Sequence, residues 1–228
     1  MFKQISWNEA LSIASARLKD IKEDGERNKI EVLTDPVRGT LGEVFSNFAE
    51  DLGANLHAYD FMSDVGLAEA NKKAFGDDGF ANYDIANAEY IVSFGANFLD
   101  TWATPVKHSV GFGRMRDTTI GKEGDRGWLV HFEPRLSVTG SSADEWFPIT
   151  PGTEGLLALA MANEIVAEHS FDKSLDIDVK KWKKALAAYK PGTVSKKTGI
   201  STKQIKSVAH EFAKREHSLA LCGGQATA

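Results

Sequence analysis

Cysteine is almost missing from this chain: Cys222 is the only one among 228 residues. A single thiol excludes an internal disulfide and any all-cysteine zinc or iron–sulfur site within these residues. An iron–sulfur cluster in the intact protein would take its ligands from elsewhere. Histidine offers little more, since the six imidazoles at 57, 108, 131, 169, 210 and 217 make no HxH pair and no HExxH pattern. His210 and His217 read as lying on or just after a helix surface. Long apolar runs are also lacking. A bilayer span needs roughly 18 uninterrupted apolar residues, no segment approaches that, and no membrane insertion by this chain is expected. The opening MFKQISWNEAL has no apolar stretch before a small-residue cleavage site, so it does not read as a secretory signal. Nor is there a cationic excess. With a formal net charge of −5, the chain is a poor match for a phosphate backbone, and no nucleic-acid partner is expected. The lysines of DVKKWKKALAAYK (178–190) read as a solvated helix face, with Trp182, Leu186 and Tyr189 inward.

Several catalytic signatures are missing too. Neither GxGxxG nor GxxxxGK[ST] occurs. The Gly-Lys of GKEGDRG (121–127) has no following Ser or Thr and precedes a strand, so it reads as an exposed turn. No GxSxG elbow is present, which lowers a hydrolase reading.

What is present is a foldable α/β pattern. The composition is 42% hydrophobic with only six prolines, enough to bury a core. Three capping boxes mark helix starts: Ser6 with Glu9, Thr40 with Glu43, and Ser201 with Gln204, the last stapled by Ile200 and Ile205. Apolar residues follow at helical spacing: Trp7, Leu11, Ala14, Leu18 and Ile21 after the first box, Leu41, Val44, Phe45, Phe48 and Leu52 after the second. Between the helices lie short apolar runs: IEVL (30–33), NLHAY (55–59), YIVSF (90–94), WLVHF (128–132) and SLALC (218–222). Their alternation with helices predicts an α/β fold with mostly parallel sheets flanked by helices.

In such sheets ligands bind beyond the carboxyl ends of the strands. That rule selects SFGANFLDTW (93–102), EPRLSVTG (133–140) and CGGQATA (222–228). The polar groups of HFEPRLSVTGSSADEWFPITPGTEG (131–155) allow two accounts. Glu133, Arg135 and Glu154 could form an internal ion pair plus a charge at a helix terminus. Alternatively, a carboxylate could accept two hydrogen bonds from a guanine edge while the guanidinium grips phosphate, beside a helix start capped by Thr153. Spacing alone leaves both open. Asp60 and Asp64 could pair as carboxylates, or Asp64 could cap VGLAEANKKAF.

The runs YDIANAEYIVSFGANFLDTWATPV (83–106), EPRLSVTGSSADEWFPITPGTEGLLALAMANEI (133–165) and TGISTKQIKSVAHEFAK with SLALCGG (198–224) resemble the molybdopterin oxidoreductase family. That family includes dimethyl sulfoxide reductases, formate dehydrogenases and polysulfide reductases. GANFLDTW looks closest to its polysulfide- and quinone-reductase branch. The likeness runs from ISWNEAL to the last residue and implies the central portion of a larger subunit, without the cysteine-rich segment holding a [4Fe-4S] cluster or the β-barrel-like cap. By the same resemblance, 1–60 and 217–228 belong to one discontinuous lobe, and 61–216 to a second with dinucleotide-binding-like topology.

Carried over residue by residue, the resemblance implies that Gly95, Ala96 and Asn97 contact a molybdopterin guanine dinucleotide. Glu133, Arg135, Gly152, Thr153 and Glu154 would hold its nucleotide end, with Glu154 on guanine, and Gly223, Gly224 and Gln225 would touch the second dinucleotide. The family more often has Asp at the positions of Glu133 and Glu154. Where members carry a metal ligand, this chain has YDFMSDVG (59–66), without a thiol. Met62 is a poor donor for oxidised molybdenum, leaving Ser63 and Asp64 as candidate ligands of Mo or W. The implied function is two-electron oxidoreductase chemistry coupled to iron–sulfur electron transfer, with an iron–sulfur partner subunit and a membrane anchor subunit. The alternative is a molybdenum-free scaffold and electron-transfer subunit of a quinone-linked complex. The resemblance favours the periplasm over the cytoplasm.

Overall fold

The computed structural model describes residues 3–25, 29–37, 39–59, 65–77, 81–118, 126–168 and 178–224. They form two compact units, Met1–Phe61 and Met62–Ala228. The first contains α1 (Trp7–Glu23), β1 (Glu31–Thr34), α2 (Thr40–Leu52) and β2 (Asn55–Ala58). Strands β1 and β2 pair in parallel, from Glu31↔Asn55 to Thr34↔Ala58, so β1–α2–β2 is a parallel crossover unit. Ser6 caps α1 by accepting from Glu9 N at 3.2 Å. The box expected at Thr40 does not form. Thr40 is already helical, and the cap is Gly39 at φ 66°, with no side-chain hydrogen bond. The chain enters α2 through a backbone conformation that favours glycine. The apolar side of α1 is not buried within this unit, and Trp7 is 83% exposed. Two short strands are too narrow to cover it.

The second unit adds α3 (Val65–Phe75), a 3-10 turn (Ile85–Asn87), β3 (Tyr90–Phe94), α4 (Pro105–Arg116), β4 (Trp128–Glu133), α5 (Val138–Ser141), β5 (Glu145–Pro148), α6 (Glu154–Glu168), α7 (Val179–Leu186), α8 (Pro191–Thr198), α9 (Thr202–Lys214) and β6 (Ser218–Cys222). Its sheet is parallel throughout, in the order β5-β4-β3-β6. The chain lays β3, moves outward to β4 and β5, then crosses back to set β6 on the other side of β3. This third-second-first-fourth order is the one with which dinucleotide-binding sheets begin, and it opens a crevice where the direction reverses, between β3 and β6.

Strand β6 had been grouped with residues 1–60 on the basis of resemblance. In the structure it belongs to the second unit: all five of its residues pair with β3, from Tyr90↔Ser218 to Phe94↔Cys222, and Leu221 packs with Ile91 and Leu129. β5 was missed because EWFP is only four residues long and half-buried.

Two apolar cores sandwich this sheet. Val92, Phe94, Val130 and Phe132 face Leu157, Ile205 and Val208 of α6 and α9 on one side, while Ile91 and Leu129 face Leu67, Ile85, Phe98 and Met115 on the other. Ser201 and Gln204 form the full reciprocal box at the start of α9. In α7, Leu186 is buried, but Trp182 is 51% exposed and does not join the core.

A buried carboxylate ties this layering together. Asp144 accepts from Arg116 Nη1 at 2.7 Å and Leu129 N at 2.7 Å, and pairs with Arg126 Nη2 at 2.8 Å. It thereby holds the end of α4, the start of β4 and the approach to β5. Asp144→Ala is expected to destabilise the protein by about 2–4 kcal/mol, less than a fully buried pair because Arg126 is half exposed. Urea unfolding with an unchanged slope would register the loss.

Candidate functional site

The loop after β3 is shaped by its own backbone. Gly95 adopts φ 69° and donates its N–H to Phe132 O at 2.9 Å, while the Asn97 carbonyl accepts from the amides of Asp100, Thr101 and Trp102 at 3.1 Å each. Ala96 is fully buried. The Asn97 side chain is committed within the protein: Oδ1 accepts from the Thr139 hydroxyl at 2.8 Å and Nδ2 donates to Asp100 at 3.1 Å. Leu99 N in turn donates to Thr139 Oγ1 at 3.1 Å. The loop after β3 and helix α5 after β4 are therefore bolted together.

Across the crevice, Gly223 is buried against the Trp102 indole, and a Cβ at 223 would overlap that ring. Gly224 has φ 62°, and a Cβ there would stand 3.5 Å from Gly95 O, so the ends of β3 and β6 approach closely. Trp102 stacks on His108 at 5.7 Å and lies 5.3 Å from Tyr83; its indole Nε1 is buried without a hydrogen bond among the described residues. Gln225, Met62, Ser63 and Asp64 lie outside the described residues. Among the described residues, no group of three or more His, Cys, Asp or Glu side chains is placed to hold a metal ion.

After β4 the structure separates the two residues that the sequence reading paired. Glu133 is buried, its Oε1 accepting from Ser137 N at 2.7 Å and Trp146 Nε1 at 3.1 Å. Its Oε2 lies 3.2 Å from His131 Nε2. Arg135 is exposed and makes no ion pair among the described residues. An internal Glu133–Arg135 pair does not form. Trp146, Ser137 and His131 were not singled out from the sequence; their side-chain directions have no signature in spacing.

After β5, Gly152 turns the chain at φ 75°. The Thr153 hydroxyl donates to Thr150 O at 2.6 Å, turning back to the loop instead of serving as the expected cap. Glu154 opens the 15-residue α6. It is 4% exposed and has no hydrogen bond or ion pair among the described residues. It lies near enough to Cys222 that its charge adds to burial in pushing that thiol up.

Two tests follow from this geometry. Gly223→Ala must displace Trp102 or the loop, at an expected cost of about 1–3 kcal/mol, visible in urea unfolding and in tryptophan emission. Burial is the main cause holding His108 and His131 below the ordinary imidazole value of 6.5, partly offset at His131 by Glu133. The unfolded chain therefore takes up these protons first, and stability is expected to fall as pH drops below about 6.5. Replacing either imidazole with Gln should flatten that part of a denaturation-against-pH curve.

The molybdopterin oxidoreductase family model matches residues 1–227. The chain is 28% identical over 227 residues to the menaquinone reductase, molybdopterin-binding-like subunit, of Nitratidesulfovibrio vulgaris, covering 98% of this chain and 31% of that protein. It is 31% identical over 178 residues to a probable dimethyl sulfoxide reductase chain of Escherichia coli, covering 75% and 21%. Acetylene hydratase from Pelobacter acetylenicus shares the fold with a TM-score of 0.66 at 19% identity, covering 96% of this chain and 29% of that one. The chain thus spans less than a third of the length of each. A match over nearly every residue, on a parallel sheet that reverses beside a glycine-lined crevice, places this chain in the molybdopterin oxidoreductase family.

Proposed function

We propose that this chain is the cofactor-gripping part of the large subunit of a molybdopterin-dependent oxidoreductase, and that it holds a molybdopterin guanine dinucleotide by its nucleotide end. The observation that carries this reading is Glu154. The residue is 4% exposed and it has no hydrogen bond or ion pair among the described residues, while the edge of a guanine base offers two N–H donors that a carboxylate can accept. Other features at the strand ends of the second unit suit the rest of such a ligand. Gly95 and Gly224 bring backbone close together at the crevice, with Ala96 and Gly223 buried beneath them, and a Cβ at Gly152 or Gly155 would meet open space. Arg135 is an exposed guanidinium of the kind that grips phosphate. The N-terminus of α6, with Thr153 and Glu154, adds amide groups and a positive dipole end.

Asn97 contributes through its backbone and by fixing the loop, Gln225 extends the contact beyond Gly224, and Ser63 or Asp64 would ligate the metal. Two-electron redox chemistry would come from Mo or W held by the cofactor's dithiolenes, with single electrons leaving through iron–sulfur centres outside these residues. The residues of this chain bind and orient the group; none is assigned a proton-transfer step. In the intact protein, an iron–sulfur subunit and a membrane anchor subunit would be partners, and the periplasm the location. Among the described residues, no helix is long and apolar enough to cross a membrane.

Glu154→Leu tests the assignment in the intact protein. Removing the carboxylate should weaken retention of pterin and guanine nucleotide on the order of 10- to 100-fold, the value of a charge-assisted hydrogen bond pair. Unchanged nucleotide content would remove Glu154 from the site.

The second reading, a molybdenum-free scaffold and electron-transfer subunit, is favoured by the likeness to the molybdopterin-binding-like subunit of the Nitratidesulfovibrio menaquinone reductase. Mo, W, Fe and pterin content of the intact native protein separates the two. Near-stoichiometric Mo or W with pterin supports the first; iron without them supports the second. In a metal-loaded protein, Ser63→Ala and Asp64→Ala then identify the ligand by which one abolishes bound metal.

A further inference from the structure

Glu133 occupies the position where an acidic residue at the end of a strand next to the switch point would be expected to reach a ligand, yet its carboxylate faces the other way. It is 5% exposed. Oε1 accepts from Ser137 N and Trp146 Nε1, and Oε2 lies against the His131 ring. A side chain at Gly140 would overlap Oε1, so helix α5 closes over the carboxylate from outside. Ser137 then caps α5, accepting from Gly140 N at 3.1 Å, and Glu133 O accepts from Ile149 N at 3.2 Å. The intervening residues Pro134, Arg135 and Leu136 are all exposed. Glu133 is the internal anchor of a four-residue reversal whose outer side carries Arg135.

We propose that Glu133 does not touch the nucleotide. It is a positioning residue that folds the loop after β4, and the ligand contact of that loop is made by Arg135. The physical reason is acceptor capacity and direction: one carboxylate oxygen already accepts two donors, and both oxygens point into a pocket formed by Ser137, Gly140, Trp146 and His131. The part assigned to Arg135 rests on the nucleotide-binding reading above. The part assigned to Glu133 rests only on the geometry of the loop.

The variants Glu133→Gln, Glu133→Asp and Arg135→Ala in the intact protein separate the possibilities. Two readouts are needed: hydrogen exchange of the 134–141 backbone in cofactor-free protein, and pterin plus guanine nucleotide bound after loading. Gln keeps a carbonyl acceptor at the same reach for Ser137 N and Trp146 Nε1, so protection and content should both stay within about two- to threefold of wild type. Asp keeps the charge but is one methylene short. Its Ser137 and Gly140 amides should exchange on the order of tenfold faster, with content falling in parallel. Arg135→Ala should lower content with protection unchanged.

Between the two Glu133 variants, content must follow protection. A Glu133 variant that loses nucleotide with its loop still protected, or keeps nucleotide with the loop unprotected, overturns the proposal. So does full retention in Arg135→Ala. Absence of pterin nucleotide from the wild-type protein would instead overturn the proposed function and with it the contact at Arg135. Exchange alone would then decide the anchor, and an unchanged rate in Glu133→Asp would refute it.

Discussion

The geometry of the second unit depends on β3 being paired on both sides while buried on both faces. Every residue from Tyr90 to Phe94 is buried, and the strand shares full parallel registers with β4 and β6. A strand in that position can be reached only by crossovers that leave in one direction and return from the other. The reversal places the loops after β3 and β6 face to face with no helix start wedged between them. The glycines follow from that constraint. At Gly223 the indole of Trp102 occupies the space of a side chain, and at Gly224 the backbone takes a left-handed turn beside Gly95. The crevice is a product of topology first and of ligand chemistry second.

Much of this architecture could be read from the residues. Of the six strands among the described residues, five were visible as apolar runs; for β3 and β4 the reason is that a doubly covered parallel strand has no polar face to interrupt it, whereas β1 and β2 are apolar in sequence yet largely exposed within their own unit. The strand β5 escaped notice: an edge strand of four residues ending in proline carries too little pattern to separate from a loop. Caps were readable where the side chain itself makes the bond, as with Ser6 and Ser201. At α2 a glycine with positive φ did the same work without a side chain, and Thr40 looked like the cap because it is the adjacent residue of the right type. Trp182 shows the limit of helical spacing, which tells which residues share a side but not how far the core extends beneath it.

The placement of the candidate loops was legible for a comparable reason. Strand-end loops are where such sheets bind, so the positions followed once the strands were known. What spacing could not supply was direction. Glu133 turns inward because Trp146, thirteen residues on in the chain, and Ser137 offer donors that only the folded loop presents. Asn97 is engaged by Thr139, forty-two residues away. Glu154, by contrast, has no such partner among the described residues. That difference from Glu133 exists only in three dimensions.

The Thr139 bridge bears on timing. By accepting from Leu99 N and donating to Asn97, one hydroxyl makes the loops after β3 and β4 a single body. The entropy of ordering those two segments is then spent during folding and not at the moment a ligand arrives. A cleft assembled in this way needs no slow rearrangement to accept its guest, so differences in affinity among variants should show themselves in how long the guest stays.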